Sequence, residues 1–120
     1  MPVMAKGTWK GPWFLGEFEH MVLLAILQAG TNAYVIRILE ELDSRAGRRT
    51  DRGALYKTLD RLEAKGYLDW TVEPGTPARG GHRRRVFSVR PEGLEAVRTS
   101  REALNNLSKG LRSLLSRPAK

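Results

Sequence analysis

The feature that most constrains this chain is the segment 52–90, in which a helical pattern passes directly into a hairpin pattern. Leu55, Leu59 and Leu62 are spaced i, i+4 and i+7, which predicts a helix with one apolar face. Two segments rich in aromatic and β-branched residues follow, and the Gly- and Pro-rich stretch 74–81 separates them. The segment therefore predicts a helix that packs on a core through its leucines, next to a two-stranded hairpin with a projecting tip.

The hairpin is predicted to pair strand 67–72 with strand 84–89 in antiparallel orientation. The apolar side chains expected to meet over the helices are Leu68, Trp70 and Val72 on the first strand, with Phe87 and Val89 on the second. Between residues 71 and 90 five arginines stand against one glutamate, a net charge of +4. A thin and strongly basic tip favours a polyanionic partner.

The whole chain is basic, with 21 lysines and arginines against 13 aspartates and glutamates and a net charge of +8. It contains no cysteine, which excludes disulfides, thiolate catalysis and cysteine-ligated zinc. Its most apolar run, 21–27, is too short to span a bilayer and lacks the flanks of a signal peptide. No membrane partner and a cytoplasmic location are therefore expected.

Two helices are predicted before the segment 52–90. The first, 15–29, carries apolar residues around most of its circumference, so it requires neighbours on more than one side. The second spans about 33–45, with Asn32 as its predicted N-cap. Thr50 or Asp51 is the predicted cap of the helix that carries the leucines. The apolar stripe of the second helix is formed by Val35, Ile38, Leu39 and Leu42.

The last predicted helix begins at Pro91 and continues to about Ser116. Its two heptad rows are Val97, Leu104 and Leu111 in one register, and Ser100, Leu107 and Leu114 in the other. A helix of about 25 residues is longer than so small a body can cover, so a second copy of the chain is expected on this seam. The alternative is that the seam packs only on the first helix.

An ordered set of motifs extends from Leu15 to Leu115. The pieces are Leu15-Gly16-Glu17-Phe18-Glu19, Val22 to Leu27, Ala33-Tyr34, Gly53-Ala54-Leu55-Tyr56, Arg61-Leu62-Glu63, Lys65-Gly66, Gly80-Gly81 with Arg83-Arg84-Arg85, and Pro91-Glu92-Gly93. In this order the chain resembles the PadR family of transcription regulators, in the short form that ends in a single dimerisation helix. The resemblance implies a mainly α fold with a small β-hairpin, a winged helix-turn-helix. It divides the chain into an N-terminal arm (1–14), a DNA-binding domain (15–90) and a long C-terminal dimerisation helix (91–120).

Two positions depart from the family's pattern. Val35 stands where a glycine often follows the tyrosine of the second helix, so a closer backbone approach is not expected there. Arg90 replaces the Thr or Ser commonly found before Pro-Glu-Gly, which removes a helix cap.

The resemblance implies that the leucine-bearing helix enters the major groove while the hairpin tip contacts the neighbouring backbone or minor groove. Gly53 would let the backbone approach phosphate, and Tyr56 and Lys57 would reach phosphate or bases. Each also fits a simpler role, as an exposed glycine, a core-boundary ring or a solvated lysine. The residues predicted to contact DNA are Tyr34, Arg48, Arg49, Arg52, Gly53, Tyr56, Lys57 and Arg61 from the helices, and Arg79, Gly80, Gly81, His82, Arg83 and Arg84 from the tip. Arg85 is expected to turn toward the body or toward Glu73.

The residues predicted to form a homodimer are Phe18, Val22, Val97, Leu104, Leu107, Leu111 and Leu114. Some short members of the family bind flat, apolar effectors between the subunits through aromatic side chains. The predicted final helix contains no Trp, Tyr or Phe, so a small apolar effector would need Trp13 or Phe14 of the arm. Otherwise the arm's aromatics are expected to pack on the body or on a partner subunit.

The leading hypothesis is a homodimeric, effector-responsive repressor that binds double-stranded DNA at a pseudo-palindromic operator. The alternatives are a basic module that binds nucleic acid without sequence preference, and a protein-interaction module in which the tip arginines are dispensable. An enzyme is not expected, because His20 and His82 lie in unrelated contexts with no catalytic partner at motif spacing. Likewise, no cofactor or metal is predicted, because the i, i+3 spacing of Glu17 and His20 is too common a pattern to indicate one.

Overall fold

The computed structural model describes residues 15–117 and is mainly helical, with one two-stranded sheet. In chain order the elements are α1 (Glu17–Ala29), α2 (Val35–Ala46), α3 (Arg52–Ala64), β1 (Leu68–Glu73), β2 (Arg84–Val89), α4 (Pro91–Ser108) and α5 (Arg112–Leu115). One-turn 3₁₀ helices occupy Gly30–Asn32 and Pro77–Arg79. The predicted fold class is confirmed, and the expected packing of the arm lies outside the described residues.

The leucine stripe of α3 lies at the centre of the apolar core. Leu55, Leu59 and Leu62 are at most 1% exposed, which confirms the predicted apolar face. Other fully buried side chains are Val22 and Leu23 of α1, Ile38 of α2, and Leu68 and Phe87 of the hairpin. Because the core holds α3 by one face only, the side chains on its opposite face remain exposed.

The hairpin has the predicted antiparallel orientation. Its opposed pairs include Leu68–Val89, Trp70–Phe87 and Val72–Arg85. Leu68 and Phe87 are buried, and Trp70 and Val89 pack against the core as half-buried side chains. Val72 lies on the side of the hairpin that faces the first turns of α2 and α3, as predicted, but it is 46% exposed and does not pack into the core. At that point the strand has passed the edge of the core and approaches the tip.

The first turns of α2 and α3 are capped differently. Of the two predicted caps of α3, Thr50 and Asp51, it is Asp51 that caps the helix, because its Oδ1 accepts a hydrogen bond from the Ala54 N–H at 2.7 Å. Asn32 does not cap α2, since it lies in the 3₁₀ turn and its carbonyl accepts the Tyr34 N–H at 2.8 Å. The prediction for Asn32 is wrong because this extra turn delays the start of α2 to Val35, and Tyr34 takes the N-cap position.

The last long helix, α4, is shorter than predicted. It ends at Ser108, and Gly110 then adopts a left-handed φ of 80°. The predicted continuous helix to about Ser116 is therefore wrong, because a glycine in this conformation interrupts it before the single turn of α5. Among residues 15–117 no helix is both long and apolar enough to cross a membrane.

The start of α4 is held against the hairpin without a side-chain cap. Arg90 occupies the N-cap position and makes no capping hydrogen bond, as expected. Its guanidinium instead lies 3.0 Å from Asp69 and 3.4 Å from Glu92. Gly93 packs directly on the Tyr67 carbonyl, where any Cβ would collide. The glycine of the Pro-Glu-Gly motif thus permits the close approach of α4 to the start of the hairpin.

Candidate nucleic-acid interface

A cleft of about 470 Å³ lies between the first turns of α2 and α3 and the hairpin. The hairpin and its tip, residues 68–89, are called the wing below. The side chains that line the cleft include Tyr34 and Ile36 of α2 and its cap, Arg52 and Tyr56 of α3, and Val72, Arg83, Arg84 and Arg85 of the wing. Within the described residues, four arginines and no acidic side chain line this cleft. Such a surface attracts polyanions.

The first two turns of α3 form one wall of the cleft. Arg52 and Lys57 are exposed, and Tyr56 is 37% exposed. Gly53 is also exposed, and a Cβ placed on it would lie 3.4 Å from the nearest side-chain atom, Oδ1 of Asp51. Packing within the chain therefore does not explain a glycine at this position. The N–H groups at this helix end carry partial positive charge that favours an anion, and the Asp51 carboxylate already accepts one of them, the Ala54 N–H.

Arg85 connects the wing to α3 through aromatic rings. Its guanidinium carbon lies 4.4 Å from the ring centroid of Trp70 and 6.0 Å from that of Tyr56. Cation–π contacts at exposed sites contribute about 0.5–1 kcal/mol. Of the two orientations expected for Arg85, the structure shows the one toward the body, because Arg84 takes the place beside Glu73.

Glu73, at the end of β1, is the centre of a charged cluster. Its carboxylate accepts hydrogen bonds from the Tyr34 hydroxyl at 3.1 Å and from Arg79 at 3.1 Å. Arg84 donates two more, at 3.0 and 3.2 Å, and its guanidinium carbon lies 3.3 Å from the centroid of the Tyr34 ring. Hydrogen bonding from Arg84 is the main cause that holds the pKa of Glu73 below its ordinary value of 4.5. Two of the arginines predicted to contact DNA are thus engaged within the chain.

Two further arginines predicted to contact DNA are directed toward α1. Arg48 lies 3.3 Å from the Glu17 carboxylate, and its guanidinium carbon lies 4.9 Å from the centroid of the Phe18 ring. The Nε of Arg61 lies 3.5 Å from Oε2 of Glu19. These contacts hold α1 against the rest of the body, and neither arginine lines the cleft.

Five predicted or cleft-lining cations are exposed and have no carboxylate within 4.0 Å among residues 15–117. They are Arg49, Arg52, Lys57, Arg83 and Arg85. The tip residues Gly80, Gly81 and His82 are exposed as well. Gly80 and Gly81 have φ values of 65° and 81°, a backbone conformation that residues other than glycine rarely adopt. Uncompensated cations beside the cleft and at a thin tip are suited to phosphate contacts.

The cleft also contains apolar side chains that were not predicted to contact DNA. Ile36 is 50% exposed and Val72 is 46% exposed, and both lie among the arginines. Ile36 had a recognisable signal, since it lies off the buried stripe of α2 at a position where a polar side chain is usual. Exposed methyl groups in such a place are suited to contact with sugars or with thymine methyl groups.

A second, apolar surface is formed by α1 and α4. Its exposed leucines are Leu24 and Leu27 of α1, exposed by 39% and 43%, and Leu104 and Leu107 of α4, exposed by 59% and 77%. Beyond the end of α4, Leu111 and Leu114 are 40% and 79% exposed. Val22 and Val97 were predicted to contact a second subunit, but they are buried in the core of a single chain. That prediction is wrong, because their side chains have no surface left for a partner.

The two heptad rows are therefore divided between the chain itself and solvent. Val97 and Ser100 are buried against the body, as the alternative for the seam required, whereas the later leucines are exposed. Phe18 is half-buried and packs against the core. The predicted dimer contacts that keep a free surface in the described chain are thus those from Leu104 onward.

A groove of about 450 Å³ lies between α1 and α4, and Leu24 and Leu104 line it from opposite sides. His20 lies along it, and its buried Nε2 has no hydrogen-bond partner among the described residues. Burial, together with the charge of Arg101, lowers the pKa of His20 below its ordinary value of 6.5. Residues 15–117 contain no group of three or more His, Cys, Asp or Glu side chains that could hold a metal ion.

Residues 23–99 match the family model described as "Transcriptional regulator PadR-like family". The chain is similar to a crystal structure of a PadR-like transcriptional regulator from Bacillus cereus, with 19% identity, a TM-score of 0.65, and coverage of 84% of this chain and 93% of that one. A PadR family regulator from Eggerthella lenta gives 25% identity, a TM-score of 0.62, and coverage of 85% and 88%. A Streptococcus transcriptional regulator gives 27% identity and a TM-score of 0.61, with coverage of 82% of this chain and 92% of that one. Comparison with curated proteins gave no match.

Proposed function

The chain belongs to the PadR-like family of transcriptional regulators, and from this premise we propose that it is a homodimeric repressor of a pseudo-palindromic operator. As a member of this family it is a regulatory DNA-binding protein and not an enzyme. The observation that carries the finer proposal is the cleft between α2, α3 and the wing, whose arginines are largely uncompensated. Such a surface supports binding to duplex DNA at two adjacent places.

In the proposed complex, the first two turns of α3 enter the major groove. Arg52 and Lys57 lie on the exposed face of these turns and reach phosphate or guanine. Gly53 allows the DNA backbone to approach the helix end. Arg83 and the glycine tip contact the flanking backbone or the minor groove, whose negative potential favours arginine where it is narrow.

The proposed homodimer forms through the apolar surface of α1 and α4. Leu104 and Leu107 are more than half exposed, and Leu104 lies across the groove from the partly exposed Leu24. Large apolar side chains grouped in this way mark an interaction surface. Two copies related by a twofold axis would place their α3 helices in half-sites about 34 Å apart, one helical turn of DNA.

We propose that regulation acts through the same apolar surface of α1 and α4. An effector or partner that alters the spacing between the two α3 helices would release the operator, because both half-sites could no longer be occupied together. Within the described residues α4 carries no aromatic side chain, so the proposal does not include a drug stacked between aromatic rings of this helix.

Selection of bound duplexes from a random library, followed by affinity measurements at two salt concentrations, tests the proposed function. We expect one pseudo-palindromic sequence to bind at least about a thousandfold more tightly than random DNA. The second candidate, a basic module without sequence preference, is favoured by the many exposed arginines suited to phosphate. It requires equal affinity for unrelated duplexes, and that result would rule out the repressor.

A further inference from the structure

We propose that Glu73 is a positioning residue of the DNA-binding surface: its carboxylate fixes the wing to the start of α2 so that cleft and tip meet DNA as one unit. This inference rests on the proposed function and deepens it. Glu73 itself does not contact DNA in this proposal. It acts through Arg79, Arg84 and Tyr34, which it holds in place.

The contacts join three parts of the chain that are separate in sequence. Glu73 ends β1, Arg84 begins β2, and Tyr34 precedes α2 by one residue. The carboxylate accepts from the Tyr34 hydroxyl and from Arg84, and the Arg84 guanidinium also covers the Tyr34 ring. The base of the wing is already held by the buried Leu68 and Phe87 and by the hydrogen bond from the Phe87 N–H to the Ala33 carbonyl at 2.9 Å. The Glu73 cluster adds a side-chain connection to the start of α2 closer to the tip.

Arg79 connects Glu73 to the tip of the wing. Besides its hydrogen bond to Glu73, this side chain donates to the carbonyl of His82 at 3.3 Å and to the carbonyl of Pro74. The two carbonyls lie on opposite arms of the tip, so Arg79 joins the two arms. Because Glu73 holds the guanidinium of Arg79, the shape of the tip depends on a carboxylate at its base.

The direction in which DNA affinity changes on removal of the Glu73 charge tests the proposal. A carboxylate beside a basic cleft repels phosphate, so removal of its charge should strengthen binding if Glu73 only competes with DNA for Arg79 and Arg84. A positioning role predicts the reverse, since the released wing would no longer present its cations at a fixed distance from α3. The side chain of Glu73 is 35% exposed, and those of Arg79 and Arg84 are 22% and 34% exposed, which agrees with a packed cluster.

The experiment compares Glu73→Gln with Asp60→Asn in the full chain. Asp60 is exposed on α3 and has no cationic partner within 4.0 Å among residues 15–117, so the second variant removes the same charge without releasing the wing. Affinities for the selected operator and for a random duplex are measured against salt concentration, with circular dichroism to establish that each variant is folded. A merely structural role would lower the folded fraction but would not change the salt slope of the folded protein.

We expect Glu73→Gln to bind the operator at least tenfold more weakly, with a salt slope smaller by about one and a lower ratio of operator to random affinity. Asp60→Asn should bind as well as the wild type or more tightly. Tighter or unchanged binding by Glu73→Gln overturns the positioning role. If that variant does not fold, Tyr34→Phe removes one bond to the carboxylate and should weaken binding with the same smaller salt slope. The Tyr34 hydroxyl carries no charge, so loss of a direct contact would leave the slope unchanged, and an unchanged slope would overturn the role. A wild-type chain without operator preference would defeat the proposed function instead, and affinity and slope on the random duplex would still decide the role of Glu73.

Discussion

Glu19 of α1 and Lys65, which follows α3, form an ion pair in which Nζ lies 2.9 Å from both carboxylate oxygens. Glu19 is only 6% exposed and also accepts the Gly16 N–H at 2.9 Å, while Arg61 lies 3.5 Å away. Burial raises the pKa of Glu19, but the hydrogen bonds and charge of Lys65, with the Gly16 N–H, lower it below 4.5. This pair ties the helix of the apolar surface to the end of the helix proposed to read DNA.

Replacement of Glu19 with Gln is expected to reduce the free energy of unfolding by about 1–3 kcal/mol, because Lys65 loses its partner in a partly buried site. Glu17→Gln on the same helix is the matched control. Its carboxylate is 78% exposed and pairs with Arg48 at the surface, so its loss should cost less than about 1 kcal/mol. Urea denaturation of both variants measures the difference, and equal losses would contradict the buried role.

The contribution of Glu19 should depend on pH in a defined direction. Since its pKa in the folded chain is below the ordinary value of 4.5, the unfolded chain holds the proton more tightly. The contribution is therefore complete above pH 4.5 and disappears as the pH falls through the folded pKa. The difference in stability between wild type and Glu19→Gln should shrink in that range, and a difference that grew with acid would refute this assignment.

Arg52→Ala and Arg83→Ala are each expected to weaken binding to all duplexes and to reduce the salt slope by about one. Both arginines line the cleft and have no carboxylate within 4.0 Å among residues 15–117. Arg98→Ala removes the same charge from α4, where Arg98 pairs with Glu95, and should leave the slope unchanged. Equal slopes for all three variants would show that binding depends on net charge and not on the cleft.

The double substitution Leu104→Lys and Leu107→Lys is expected to give monomers in sedimentation equilibrium, because two charges would be buried in the proposed dimer. Glu102→Lys adds a lysine two residues from Leu104, about 200° around the helix, and should leave the dimer intact. A dimer that persists in the double variant would place the subunit contact elsewhere. Both Leu104 and Leu107 are more than half exposed, so their replacement should not unfold the chain.

Gly53→Ala separates folding from DNA binding at the start of α3. The residue is exposed and its added Cβ would meet only Oδ1 of Asp51 at 3.4 Å, so we expect stability to be unchanged or raised by up to about 1 kcal/mol. Operator affinity should fall about tenfold, because the methyl group would keep the DNA backbone away from the helix end. Thermal unfolding and operator titration of the same preparation provide both readings. Unchanged operator affinity would show that Gly53 is only a tolerated surface glycine.

Local periodicity was enough to predict the elements that bury one apolar face. The spacing of Leu55, Leu59 and Leu62 predicted the buried side of α3, and the alternation in the hairpin predicted its strands. These features depend on neighbours within a few residues, so the order of the side chains determines them. Val72 marks where the same alternation fails, because it cannot show where a strand passes beyond the core.

The sequence by itself determined a mainly helical body, a basic hairpin and the placement of positive charge beside the third helix. Only the tertiary structure decided which cations are free: Arg79 and Arg84 meet Glu73, while Arg48 and Arg61 meet carboxylates of α1. It also decided that Val22 and Val97 face the core and not a partner. The physical reason is that long charged side chains pair with whatever carboxylate the packing of distant elements brings within reach, and no local pattern encodes that distance.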